Sequence, residues 1–237
     1  MDARSPNSSD DARLVRTLLA LTVVTGLIDA ASFLGLGHIF TGNMTGNVVF
    51  LAFALGGAQG LSAARSVTSL FVFAAGSLVG GRVTNRQPRA PSDLLLVAMN
   101  TECVSLLLAV GVTVFAQAEL PVAAAYAVIV CTAFAMGLRN AIVRKLPVSD
   151  ITTTVLTMAI TGLAADSRLA AGSGARGSRR AVSILAMFGG ALAGALLLRR
   201  FGMRVPLAVA ALLVGFSSLY LYSKSRAPAL DPSSLQS

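Results

Sequence analysis

Two short apolar segments, each with a polar head and each following a long hydrophobic stretch, constrain this chain more than any other feature. One opens at Thr41-Gly42-Asn43-Met44-Thr45-Gly46-Asn47, the other at Ile151-Thr152-Thr153-Thr154. The stretches before them carry related patterns, Gly26-Leu27-Ile28-Asp29-Ala30 and Gly137-Leu138-Arg139-Asn140-Ala141. Irregular backbone survives at membrane depth only where protein shelters it or a water-filled cavity satisfies it. A matched pair of short or interrupted segments in two halves points to an inverted-repeat transporter, with its site at the repeat interface near the midplane.

Composition places the chain in a bilayer. Of its 237 residues 55% are hydrophobic and 12% charged, and the mean hydropathy is +0.76. An integral membrane protein fits these values and a soluble domain does not. A net charge of +9 would suggest a nucleic-acid partner in a soluble protein. Here the basic residues flank apolar spans, as the positive-inside rule requires, so no nucleic acid is expected. Polar residues 1–13 and 223–237 read as flexible tails around a single membrane domain, 14–222, with halves at about 14–116 and 121–222. Asp29 interrupts the first apolar stretch, which therefore reads as a retained helix rather than a cleaved leader. Cys103 and Cys131 lie inside apolar stretches, as buried thiols do.

The apolar stretches run over about 17–37, 47–58, 64–82, 94–116, 121–143, 151–165, 181–198 and 205–222. A crossing needs about 20 apolar residues, and 47–58 and 151–165 fall short. If all eight cross, the basic residues divide almost evenly between the two sides. If the two short ones turn back, only Arg65, Arg199, Arg200 and Arg204 of the 19 basic residues lie outside. The expected fold is therefore all-α and polytopic: six spanning helices plus two re-entrant half-helices, with both termini cytoplasmic and eight crossings as the alternative. The halves are then inverted. Residues 26, 27, 30 and 41 match 137, 138, 141 and 152 in type, and Asp29 falls on Asn140. Arg199, Arg200 and Arg204 are the misfit, read as belonging to a tight outer loop.

The run from Gly26 to Leu34 and the motif Phe40-Thr41-Gly42-Asn43-Met44-Thr45-Gly46-Asn47 resemble the signature of the YoaK family. So do Ala135-Met136-Gly137-Leu138-Arg139-Asn140-Ala141, Thr152–Thr157 and Thr161-Gly162-Leu163. The resemblance covers about residues 15–222. It implies a multi-pass protein of the bacterial inner membrane and brings no established substrate, cofactor or catalytic residue.

Asp29 is the sharpest single residue. A carboxylate at mid-membrane costs about 2.5–3.5 kcal/mol on insertion scales, and such groups face a bundle interior or a wet cavity. It is a candidate for proton coupling and solute binding, or else a structural tie between the first helix and the Asn43–Asn47 segment. Glu102 is the second proton-coupling candidate. Asn43, Thr45 and Asn47 offer amides and a hydroxyl around a half-helix N-terminus, suited to a small anion or polar solute, and equally suited to capping. Asn140, Thr154 and Thr157 complete the candidate set from the second half. Arg139, near the inner end of its helix, is expected to snorkel away from Asp29.

A lone histidine, His38, offers no metal site. Gly76, Gly80 and Gly81, and Gly189, Gly190 and Gly194, mark close helix packing within the chain or between copies in a homo-oligomer. No metalloprotease, P-loop, nucleophile-elbow or dinucleotide motif is present, so neither an enzyme nor a cofactor is expected. The residues favour a permease for a small solute; the alternative is a non-transporting accessory protein.

Overall fold

The computed structural model describes residues 8–86, 90–116, 120–146, 156–166, 170 and 177–225. Among them are eight α-helices and no strand: α1 Ser8–Gly35, α2 Met44–Leu55, α3 Ala63–Arg86, α4 Pro91–Phe115, α5 Val122–Val143, α6 Leu156–Ala165, α7 Gly177–Phe201 and α8 Arg204–Ser225. Helix is the form that lets a single segment satisfy all its backbone groups in lipid. Six of the eight are long and apolar enough to cross a membrane. Met44–Leu55 and Leu156–Ala165 are not; α2, with 12 residues, spans only about 18 Å against a core of about 30 Å.

Glycine sets the packing of the long helices. Gly26 of α1 lies against the backbone of Met187, Gly190 and Ala191 on α7, while Gly190 and Gly194 lie against Val23 and Leu27. Gly137 of α5 meets Phe73 of α3 in the same way, and Gly76 and Gly80 meet Phe134 and Leu138. In each pair the backbones touch where a Cβ would stand, the close approach that small residues permit between membrane helices. Residue numbers rise together across both contacts, so α1 runs parallel to α7, and α3 to α5.

The pair α4–α8 is antiparallel. Cys103 Sγ lies 3.6 Å from Ala211 O, Ser218 donates to Asn100 Oδ1 at 2.8 Å, and Arg204 Nε donates to Thr113 O at 2.8 Å. The start of α3 lies beside the end of α1, where Arg65 Nη1 donates to Leu36 O at 3.0 Å. Exchanging the first four helices with the last four maps each main pairing onto another. The pair α1–α7 becomes α5–α3, α2–α3 becomes α6–α7, α4–α5 becomes α8–α1, and α4–α8 is retained. Burial follows the same symmetry: α1 and α5 are 61% and 56% buried over their most apolar windows, against 17% for both α3 and α7. The two motif-bearing helices are thus the central ones.

The cluster Arg199, Arg200 and Arg204 divides by role. Arg204 donates to the carbonyls of Thr113 and Ala116, completing the open C-terminal end of α4. Arg199 and Arg200 are exposed in the last turn of α7, where positive charge offsets the partial negative charge of the helix end.

Candidate functional site

Between α1 and α2 the chain leaves regular structure, and its peptide groups are met one by one. Asn47 faces back on the Phe40 peptide: Phe40 N–H donates to Asn47 Oδ1 at 2.8 Å, and Asn47 Nδ2 donates to Phe40 O at 2.6 Å. Ser69 of α3 also donates to Phe40 O, at 2.7 Å, and accepts from Asn47 Nδ2 at 3.1 Å. Gly42 N–H donates to Asp29 Oδ1 at 2.9 Å. A Cβ at Gly42 would press on both carboxylate oxygens, so a residue without one brings the backbone onto Asp29. Asp29, Thr41 and Asn47 are all buried, and the Thr41 hydroxyl has no partner among the described residues.

About one turn before Asp29 on α1, a charged group crosses the bundle. Arg139 Nη1 on α5 donates to Glu102 Oε1 on α4 at 2.7 Å, and both side chains are at most 1% exposed. Arg139 Nη2 donates to Thr25 Oγ1 of α1 at 2.6 Å and lies 3.0 Å from Met136 Sδ. Thr25 in turn donates to Leu21 O. Glu102 Oε2 and Arg139 Nε have no hydrogen-bond partner among the described residues. An ion pair taken out of water is stable only with good geometry and further hydrogen bonds. This pair has one charged contact and an uncovered group on each side.

Arg139 does not snorkel. Every Cα–Cβ bond in a helix tilts toward its N-terminus, so a long side chain one turn before the end of α5 leans back into the bundle. Its placement near the helix end concealed both Glu102 and Thr25. The tilt rule, applied to α5, is the signal that could have found them.

The other candidates are dispersed. Asn43 is the N-cap residue of α2, but its side chain makes no capping hydrogen bond. Asn43 and Thr45 are exposed on the chain's surface, as is Thr157 on α6, and Asn140 is half-buried. Thr154 lies outside the described residues, as do Thr152 and Thr153. The structure therefore brings together Asp29, Thr41, Asn47 and Ser69 in one group, with Thr25, Arg139 and Glu102 in a second beside it. His38 Nδ1 lies within hydrogen-bonding distance of Gly60 O, and its ring packs edge-on against Phe33. Among the described residues no cluster of three or more His, Cys, Asp or Glu side chains could hold a metal ion.

The chain is 30% identical over 155 residues to UPF0700 transmembrane protein YoaK of Bacillus subtilis, a match covering 63% of this chain and 66% of that protein, just under two thirds of the relative's length. No solved structure matches. The family described as "Protein of unknown function (DUF1275)" matches residues 17–220. With six spanning-length helices behind that match, this multi-pass membrane protein belongs to the DUF1275 family.

Proposed function

We propose that the chain is a secondary transporter for a small solute, coupled to protons, in which α2 and α6 enter the membrane from opposite faces and turn back. One observation carries the reading. Three ionisable side chains, Asp29, Glu102 and Arg139, are buried on the membrane-length helices α1, α4 and α5, next to irregular backbone that protein groups shelter. Ionisable residues in that position mark ion and substrate paths rather than scaffold. Two acids with one base are uncharged overall only when one acid holds a proton, which is the motive for proton coupling.

The placing of Leu36 beside Arg65 supports re-entry, since an α2 that crossed would put the start of α3 on the far side. In this reading the helices move as two bodies. One contains α1, α6, α7 and α8; the other contains α2, α3, α4 and α5. Each is held by a glycine crossing. Between them lie the α4–α8 contact, an apolar core shared by α1, α4, α5 and α8, the Arg139–Thr25 hydrogen bond and the groups around Asp29 and Phe40. Rocking of such halves about a fixed site is how inverted-repeat transporters alternate access. By the distribution of basic residues, the termini are cytoplasmic and the membrane is the bacterial inner one.

A second reading keeps the protein as a non-transporting accessory subunit, favoured by the outward-facing Asn43 and Thr45 beside the exposed Val48 and Phe53 of α2. Vesicles reconstituted with the purified chain separate the two. The transport reading expects solute uptake driven by a pH gradient and abolished in Asp29→Asn/Glu102→Gln, which removes both acids that could carry the proton. Tight vesicles with no flux across a broad solute panel, and a stoichiometric partner at purification, would favour the accessory role.

A further inference from the structure

From the Nε side of the Arg139 guanidinium, where Nε has no partner among the described residues, we infer that the transported solute is a small monoanion, a carboxylate or similar oxyanion, bound at Arg139 and taken up with one proton. The inference deepens the transport reading and rests on it.

Guanidinium presents two forks, an end formed by Nη1 with Nη2 and a side formed by Nε with Nη2. Either fits a carboxylate through two parallel hydrogen bonds. Glu102 takes only Nη1, with a single oxygen. The side fork keeps a weak set of neighbours: the Thr25 hydroxyl and Met136 sulfur on Nη2, and no described residue on Nε. Glu102 Oε2 is likewise unmatched, so the internal pair is a partial one that a better anion can improve upon. Thr25 belongs to the other body. When the two bodies part, Thr25 leaves with α1, and the Nε–Nη2 fork opens toward the gap.

Charge balance then sets the coupling. With Arg139 and Glu102 ionised and Asp29 protonated, the buried set is neutral. Adding a monoanion leaves one uncompensated negative charge at membrane depth, which is expensive. A proton on Glu102 removes it and also withdraws the internal competitor from Nη1. One anion therefore enters with one proton, and no other charge moves.

The test uses the purified full chain in detergent, with acetate, lactate, benzoate, nitrate and chloride as probes, and reads thermal unfolding at acidic and neutral pH. The wild type should be stabilised by at least one of these anions, more strongly at acidic pH. In Asp29→Asn/Glu102→Gln the arginine is the lone buried charge. That variant should bind the same anion at least about tenfold more tightly at neutral pH, once a charge-assisted hydrogen bond no longer competes, and its pH dependence should vanish. Arg139→Gln alone would leave Glu102 buried without its cation, so Arg139→Gln/Glu102→Gln is the variant that should lose binding.

Undiminished stabilisation in that last variant overturns the inference, as does the absence of any anion effect in both the wild type and Asp29→Asn/Glu102→Gln. The two levels fail separately. Anion binding of the expected pattern without vesicle flux removes transport and leaves the site. Proton-driven flux of a neutral solute without anion binding removes the site and leaves transport.

Discussion

Arg139 shows how much a single buried side chain can change. Removing one partner of a buried ion pair leaves a stranded charge, and such losses run to about 3–5 kcal/mol. Arg139→Gln should therefore unfold markedly earlier than wild type in a thermal melt, whereas Arg139→Gln/Glu102→Gln should recover most of the loss; equal instability of both would mean that charge compensation is not what holds the pair. A second contrast lies in the polar head of α2. Asn47→Leu strands the Phe40 N–H, while Ser69 still holds the Phe40 carbonyl, and should cost about 1–3 kcal/mol, the order for a buried group left unsatisfied. Asn43→Ala and Thr45→Ala, at exposed positions, should leave the melting temperature nearly unchanged. Which member of the polar motif turns inward was not legible from the residues. Asn43 and Asn47 lie one helical turn apart, but Asn43 precedes the helix, and the partners that select Asn47 are the Phe40 peptide in irregular backbone and Ser69, far along the chain.

Helix by helix, the long spans stood out because a run of about 20 apolar residues has few other uses. The glycines were legible as packing sites but their partners were not, since a small-residue pattern does not say which helix it faces. The structure gives both crossings the same construction, α1 on α7 and α5 on α3. Gly26→Ala and Gly190→Ala would each push a methyl into facing backbone, as would Gly76→Ala and Gly137→Ala. Each should destabilise by at least the 1–3 kcal/mol or so of an overpacked core. Gly189→Ala and Gly81→Ala face open space and should be neutral or slightly stabilising, because alanine is the better helix former. Unfolding measurements on these six variants would separate packing glycines from incidental ones; a uniform response would undo the crossing assignment. Arg204 was illegible for a related reason, because the helix end it completes belongs to α4 and not to its own helix.

Taken whole, the molecule has two glycine crossings, α1–α7 and α3–α5, joined through the antiparallel α4–α8 pair, a shared apolar core and a small buried polar centre. Its pseudo-twofold order was visible in the sequence more through the succession of long and short segments than through matching letters, since a shared alphabet of Ala, Leu, Gly and Thr makes identities cheap. What remained hidden was that Asp29 and its counterpart helix meet through Thr25 and Arg139 rather than through equivalent side chains. Everything proposed about transport depends on α2 and α6 turning back, so that the segments after them emerge on opposite faces. The most direct measurement is cysteine accessibility at Ser62→Cys and Ala170→Cys, in a background lacking Cys103 and Cys131, using a membrane-impermeant reagent on sealed cells and on inverted vesicles. Labelling of the two positions from opposite faces is the predicted result. Labelling of both from the same face would mean eight crossings, and would contradict the inverted repeat together with the site placed between its halves.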